Sequence, residues 1–399
     1  MNAPLLSGMR INLPTADGKL ETFVLSEPRA YPDKTTGAFN RVALAAAHVV
    51  ADALAANDPW LECALDWEKT IAIREYLWDL GLGVAEAMDT AQRGMGLDWP
   101  TSLELIRRAV KAGKAWEARN GRPARIFCGC GTDHLGPAEV GSVADVARAY
   151  EEQMAAIEAA GGRLIVMASR ALARVAHGPS DYVRVYERLL SQASEPVIIH
   201  WLGEMFDPAL AGYWGTAEPM PAMQTAIAII NANAAKVDGI KISLLDKDKE
   251  IFMRRQLPAG VRMYTGDDFN YAELIAGDAH GYSDALLGIF DAIAPAASAA
   301  LSALAAQDQQ QFAAILEPTV ALSRHIFKTP TRFYKTGVVF MAYLNGLQEH
   351  FVMVGGQQSA RSLPHLAELF RLADRAGLLR DPELARRRMV RVLAVHGIA

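Results

Sequence analysis

From about residue 41, short apolar runs alternate along the chain with longer segments in which apolar residues recur every three or four positions. The short runs are typical of buried strands and the periodic segments of amphipathic helices. Eight strands are predicted, at residues 41–49, 83–88, 125–131, 163–168, 196–201, 239–244, 262–265 and 281–285. Eight such strand–helix units predict an α/β fold, a (β/α)8 TIM barrel with parallel strands.

The two ends of the chain depart from this alternation. Residues 1–40 are rich in turn formers and predict an extended N-terminal arm or a small hairpin. After residue 286 the pattern becomes wholly helical, and helices are predicted at 292–309, 311–327, 336–350, 363–376 and 382–395. We therefore expect an arm over 1–40, a catalytic barrel over 41–310 and a C-terminal helical extension over 311–399.

Composition narrows the classes of partner. The 399 residues include 51% hydrophobic and 21% charged residues, and the net charge is −5. Because the chain has no excess of positive charge, neither nucleic acid nor a membrane surface is an expected partner. No leader-like start and no apolar run of about 18 residues are found, so a cytoplasmic protein is expected. Three cysteines fit a reducing compartment. Cys128 and Cys130 are interpreted as small buried hydrophobes, and a metal or redox pair is the alternative.

Catalytic groups in barrels of this kind come from the C-terminal ends of the strands. Lys241 closes the predicted strand in the run GIKIS and is the leading candidate, because a lysine whose pKa is lowered by burial can attack a carbonyl. His200 ends the preceding strand and can relay protons near neutral pH. The alternatives are a lysine that extends into solvent and a core histidine bonded to backbone.

Other polar residues at predicted strand ends are candidates for binding substrate. They are Asp89, Thr90, Asp133, His134, Trp201, Asp267 and Ser283. Asp267 can equally cap the next helix. His48, Asp133, His134, His200 and Asp267 are an alternative set of ligands for a divalent metal, although no tight spacing supports it. No glycine-rich dinucleotide fingerprint follows the first strand, and neither a cofactor nor a metal is predicted.

In order along the chain, PVIIH, GIKIS, YTGDD and AGDAHGYSDAL resemble the dihydrodipicolinate synthase and N-acetylneuraminate lyase family of class I aldolases. The resemblance extends over residues 41–290 and suggests a divergent branch classed as a domain of unknown function. It implies that Lys241 is a Schiff-base lysine and that the protein forms homodimers or homotetramers. His200 stands where the family has a catalytic tyrosine. The carboxylate-binding loop falls on residues 88–92 and keeps only Thr90.

These departures leave the imine chemistry in place but put the usual proton relay and carboxylate clamp in doubt. Arg93 and Arg170 are candidates for a replacement anion contact. The resulting prediction is a Schiff-base lyase, an aldolase or dehydratase, acting on a keto-sugar or a 2-oxo acid type of carbonyl compound. The alternatives are a metal-dependent aldolase or isomerase on the same barrel, and a barrel that binds a ligand without catalysis.

Overall fold

The computed structural model of the chain describes residues 8–35, 38–136 and 139–398. An antiparallel hairpin of β1 (Arg10–Pro14) and β2 (Leu20–Val24) forms the N-terminal arm. Parts of the predicted arm, residues 1–7, 36 and 37, lie outside the described residues.

Eight parallel strands then close into a barrel in the order β10-β3-β4-β5-β6-β7-β8-β9. They are β3 (Ala43–Ala46), β4 (Gly83–Glu86), β5 (Ile126–Cys130), β6 (Arg163–Met167), β7 (Val197–Leu202), β8 (Val237–Ser243), β9 (Arg262–Thr265) and β10 (Asp284–Leu287). The predicted TIM barrel of the α/β class is confirmed.

Helices surround the barrel and continue beyond it. Those that alternate with the strands are α1 (Trp67–Asp79), α2 (Trp99–Asn120), α3 (Val143–Ala159), α4 (Arg170–Val175), α5 (Pro179–Gln192), α6 (Pro219–Ala232), α7 (Lys247–Arg254) and α8 (Tyr271–Ala276). Those after the last strand are α9 (Ile289–Ala292), α10 (Ala294–Ala305), α11 (Gln309–Ile326), α12 (Tyr334–Leu344), α13 (Leu363–Arg375) and α14 (Pro382–Val395). Among the described helices, none combines the length and the apolar character that crossing a membrane requires.

Strand alternation divides the apolar side chains between two cores. The barrel interior is filled by a small cluster that includes Leu44, Phe127, Ile198, Tyr264 and Leu286. Neighbouring strand residues point outward and join the large core beneath the helices. Both cysteines of β5 belong to this outer core, and burial raises their pKa values, as expected for inert thiols.

The last strand differs from its prediction. Residues 281–285 were expected to form it, but the strand is Asp284–Leu287. The apolar run continues through Gly288 into α9, so hydrophobicity alone does not mark where the strand ends. The shift moves the C-terminal end of this strand from Ala285 to Leu287, so Ser283 precedes the strand instead of lying near its end.

The hairpin packs against the C-terminal extension. The Arg371 guanidinium on α13 donates to the backbone oxygens of Leu13 and Pro14, and the rings of Phe23 and Phe370 meet edge to face at 6.4 Å. The extension also reaches the barrel mouth, because α12 contacts the short 3-10 helix Asp89–Ala91 that follows β4.

Candidate active site

Lys241 points into the barrel near its C-terminal end. Its neighbours Ile240 and Ile242 belong to the outer core, so alternation turns the lysine side chain inward. Lys241 is only 7% exposed, and its Cα pairs with those of His200 on β7 and Tyr264 on β9. The structure thus places the predicted amine and imidazole side by side on adjacent strands.

Burial sets the charge state of Lys241. Removal from water lowers the pKa of its amine, while the nearby carboxylates of Asp268 and Asp89 act to raise it. Burial also raises the pKa of Asp268 to about 7, against the opposing effects of the Ile289 backbone N–H and the Lys241 charge. Because the lysine pKa is lowered, the neutral nucleophilic amine is more populated near neutral pH than in an exposed lysine.

His200 is buried beside this amine. Burial, reinforced by the Lys241 charge, lowers the pKa of His200 well below its ordinary value of 6.5, so the imidazole is neutral at pH 7. Its Nε2 atom lies 3.5 Å from the Ser243 hydroxyl, and its Nδ1 atom has no hydrogen-bond partner among the described residues. A neutral ring with a free nitrogen can accept a proton from a bound molecule.

A cavity of about 760 Å³ opens at this end of the barrel. His200 and Asp89 form part of its wall, together with Asp133, Arg170 and Asp207. Lys241 is not among the lining residues, so its amine lies behind the wall, next to His200 and within range of the Asp89 charge. A substrate carbonyl must therefore reach the amine past these two side chains.

The loop after β4 carries Asp89 and Thr90. It begins with Ala87, which has a φ of 52°, a strained conformation for a residue other than glycine. The Thr90 hydroxyl is buried and lies 2.8 Å from the hydroxyl of Tyr334, the first residue of α12. Burial raises the pKa of Tyr334 far above its ordinary value, and the charges of Asp89 and Asp268 also raise it. The charges of Asp89 and Asp268 therefore act on both Tyr334 and Lys241, although Tyr334 lines neither cavity at this end of the barrel.

Two residues at the barrel mouth were absent from the sequence prediction, Tyr334 and Lys335. Both begin α12, every residue of which is buried. A lysine on a helix that is buried on all sides must face a polar space. Lys335 within an otherwise mostly apolar helix was therefore the feature of the sequence that could have indicated this site. Which part of the barrel α12 covers is a tertiary property that periodicity does not report.

Asp133 and His134 take different positions. Asp133 lines the cavity, where burial opposes its ionisation but the charge and hydrogen bonds of Arg93 hold its pKa below the ordinary value. His134 does not line the cavity; its ring contacts Gln153 at 2.8 Å and Glu152 at 3.2 Å. Only Asp133 of this pair is placed to touch a ligand there.

Three other predicted substrate contacts point elsewhere. Trp201 follows His200 on β7, so it faces outward and packs edge to face on Trp214 at 6.1 Å. Asp267 accepts from Asn270 and from the backbone N–H of Phe269, and its carboxylate closes its own turn. The Ser283 hydroxyl donates to Glu250 at 2.6 Å, because this residue precedes its strand.

The arginines proposed as anion contacts are differently occupied. The Arg93 guanidinium, 3% exposed, makes a two-pronged contact with Asp133 and also donates to Gln153 and to the Gly129 and Ala87 carbonyls. Arg93 thus links the loop after β4 to β5, to the loop after β5 and to α3. The Arg170 side chain is more than half exposed and pairs with Asp207 at 2.5 Å.

The alternative metal ligands do not converge. Across residues 8–35, 38–136 and 139–398, no three His, Cys, Asp or Glu side chains are grouped as a metal site requires. His48, for example, is buried against Asp291 at 2.6 Å and Gln348 at 3.2 Å, away from the cavity. The metal-dependent alternative finds no ligand set in this part of the chain.

A family model described as a protein of unknown function (DUF993) matches residues 11–398. The chain belongs to this family. The prediction of a divergent branch classed by a domain of unknown function is thereby confirmed. A search of curated proteins finds no match.

Solved structures of the dihydrodipicolinate synthase family share the fold of this DUF993 chain. The prophage protein YagE from E. coli K12, solved with pyruvate, is 15% identical; the match covers 86% of this chain and all of YagE, with a TM-score of 0.62. Dihydrodipicolinate synthase from Aquifex aeolicus is 12% identical over 85% of this chain and 99% of its own, also with a TM-score of 0.62. At such identities the likeness establishes the barrel and its helical extension.

Proposed function

We propose that the protein is a lyase of the class I aldolase type, in which Lys241 forms a Schiff base with a carbonyl substrate. The observation that carries this proposal is the buried Lys241 amine, with its lowered pKa, beside a neutral His200 at the C-terminal end of the barrel. Barrel enzymes carry their chemistry at this end. The shared fold with the dihydrodipicolinate synthase family is consistent with it.

The reaction begins when the neutral Lys241 amine attacks the carbonyl carbon. A C–N bond forms, the carbonyl oxygen leaves as water, and a protonated imine remains. In a cleavage, a base removes the proton of a β-hydroxyl, the C–C bond breaks, and its electrons flow to the imine nitrogen to give an enamine. In a dehydration, a base removes the α-proton and the enamine expels the β-hydroxyl. Protonation and hydrolysis then release the product and restore the amine.

His200 is the proposed proton acceptor in either case, because it is neutral and one ring nitrogen is unpaired. Tyr334 is the proposed proton donor. Its pKa is raised, so the phenol stays protonated, and the hydrogen bond with Thr90 orients it. The two residues together replace the single tyrosine that the family resemblance leads one to expect at position 200.

The cavity favours a polar substrate. Its wall includes the carboxylates of Asp89, Asp133 and Asp207, which accept hydrogen bonds from hydroxyl groups. A hydroxylated ketone fits these acceptors, whereas a 2-oxo acid requires a cationic part of the same wall, such as Arg170, for its carboxylate. Pyruvate is the compound bound in the YagE structure, and it is one member of the second class.

Reductive trapping tests the proposal. The protein is incubated with borohydride and either dihydroxyacetone or pyruvate, and the adduct is located by intact mass and peptide mapping. We expect one adduct on Lys241, which Lys241→Met abolishes. The matched control Lys111→Met changes an exposed lysine of α2 and should leave the adduct intact. An adduct that persists in Lys241→Met, or no adduct with a broad pool of keto-acids and keto-sugars, would exclude the imine mechanism.

The resemblance also predicts a homodimer or homotetramer, and the composition of the chain predicts a cytoplasmic protein; both remain predictions. Light scattering on the purified protein measures the mass in solution against the 43.3 kDa of one chain. A monomeric mass would contradict the first of them.

A further inference from the structure

A second cavity of about 270 Å³ adjoins the first. The two share Asp89, Arg93, Arg170, Leu202 and Asp207 in their walls. Leu202 lies two residues beyond His200 on the same face of β7, so the shared wall extends roughly 7 Å outward from the imidazole. One elongated molecule can therefore occupy both cavities.

Cationic side chains dominate this second cavity. Its lining contains four of them, Arg93, Arg170, Arg332 and Lys335, against the two carboxylates Asp89 and Asp207. Arg332 and Lys335 come from the C-terminal extension and do not line the first cavity. Because Arg93 pairs with Asp133 and Arg170 with Asp207, the positive excess is carried by Arg332 and Lys335 and is opposed by Asp89.

Lys335 is the central residue of this wall. It is 5% exposed, and its ammonium donates to the Arg332 carbonyl at 3.1 Å and lies 4.7 Å from the centre of the Tyr334 ring. Among the described residues, Lys335 forms no ion pair with a carboxylate, and Asp89 and Asp207 act on it only through their charge. A buried ammonium without an anionic partner is costly.

Two further observations favour an anion at this position. Burial lowers the pKa of Lys335 to about 8, and Asp89 and Asp207 only partly oppose that effect. Lys335 also lies in the first turn of α12, where the positive end of the helix dipole disfavours a lysine and favours a negative group beside it. A bound anion would offset both costs.

We infer that the second cavity binds an oxyanion, a carboxylate or a phosphate, through Lys335, with Arg332 and Arg170 at its rim. The inference rests on the proposed function, because it takes the bound anion to be the far end of a substrate whose carbonyl reaches Lys241. The substrate class is accordingly a keto compound with a remote acidic group, and the C-terminal extension selects it.

Anion binding is measurable without turnover. Calorimetry with inorganic phosphate and with acetate is performed on the unmodified protein, on Lys335→Met and on the control Lys111→Met. We expect the first and last to bind alike and Lys335→Met to lose at least tenfold in affinity for the preferred ion. The better-bound ion identifies the acidic group. Equal affinity in Lys335→Met, or no binding of either ion to the unmodified protein, overturns the inference.

Two further variants control for the possibility that Lys335→Met loses binding only because it misfolds. Lys335→Arg keeps the charge and should retain binding. The double variant Arg170→Gln with Arg332→Gln changes two exposed side chains, and it should weaken binding several-fold while the urea midpoint is unchanged. Unaltered affinity in this double variant would contradict the assignment of the rim.

Trapping with matched probes separates this inference from the proposed function. Dihydroxyacetone is compared with dihydroxyacetone phosphate, and 2-pentanone with 4-oxopentanoate. We expect one anionic probe to label Lys241 at tenfold lower concentration, a preference that Lys335→Met removes while labelling by the neutral probe continues. Equal labelling by both members of each pair refutes the anion site. No labelling by any probe, with phosphate or acetate binding intact, refutes the imine mechanism alone.

Discussion

Gly266, directly after β9, leaves the space that the Lys241 side chain occupies. A Cβ built on Gly266 would lie 2.7 Å from Lys241 Cε and 2.6 Å from the Ile242 backbone oxygen, and it would also overlap the Ser243 hydroxyl. The Gly266 backbone N–H is fixed by a 2.9 Å hydrogen bond to Ile242. In Gly266→Ala, the lysine and serine side chains can move away, but the 2.6 Å approach to the Ile242 oxygen is relieved only by a shift of the backbone.

The distances give the size of the effect. The contact with Lys241 Cε falls short of the roughly 3.5 Å of ordinary carbon contact by about 0.8 Å. Overpacking of this kind costs about 1–3 kcal/mol of stability. A reacting group misplaced by about 1 Å costs about 100-fold in rate. We expect Gly266→Ala to fold with a loss of about 1–3 kcal/mol in stability and to form the Lys241 adduct about 100-fold more slowly.

The rate of borohydride trapping at Lys241 and the urea unfolding midpoint measure the two effects separately. Gly178→Ala is the matched control, because a Cβ at Gly178 meets nothing within 4 Å and its φ of 173° is extended backbone. The control should trap at the rate of the unmodified protein. If Gly266→Ala also traps at that rate despite a lower midpoint, the position of the amine does not limit imine formation and the reasoning fails.

Three other changes test separate parts of the structure. Arg74→Met removes the fully buried partner of Glu86 at 2.7 Å, and urea denaturation should show a loss of about 3–5 kcal/mol; a loss below about 1 kcal/mol would contradict this. Burial raises the pKa of Glu250 to about 8 from its ordinary 4.5, so the folded state holds a proton that the unfolded state releases. Stability should fall as pH rises from about 5 to 8, and in Glu250→Gln the urea midpoints at pH 6 and pH 9 should converge; an unchanged slope would contradict this. Tyr334→Phe removes the proposed proton donor and its bond to Thr90, so turnover should fall about 100-fold while trapping at Lys241 persists; equal loss of both would indicate a structural role.

The hydrophobic pattern of the sequence was sufficient to predict most of the fold, because strands buried on both faces are recognisable as short apolar runs between amphipathic helices. The strand Arg262–Thr265 has its predicted bounds, and five of the six described helices after the last strand lie near their predicted places. The last strand was displaced because Ala285 to Phe290 form one apolar run, within which strand and helix have the same composition.

The candidate site was predictable where it depends on neighbouring strands. Lys241 and His200 lie together because parallel strands of similar length align their C-terminal ends. Alternation alone would have separated His200 from Trp201, since adjacent residues on a strand face opposite sides. Tyr334 was not predictable in this way, because it lies 244 residues from its partner Thr90 and reaches it only through the packing of the extension.

The two proposals give the barrel and the extension different tasks. The barrel supplies an amine and an imidazole from adjacent strands, and their separation is fixed by backbone hydrogen bonds. The extension supplies Tyr334 and Lys335 from consecutive residues, and these are positioned only by how α12 is seated. That seat is tight, since a Cβ at Gly337 would lie 3.0 Å from Ile326 and 3.1 Å from Leu369. A small shift of α12 would move the proposed proton donor and the proposed anion contact together while leaving the nucleophile in place. The two proposals therefore assign imine formation to the barrel and the choice of substrate to the extension.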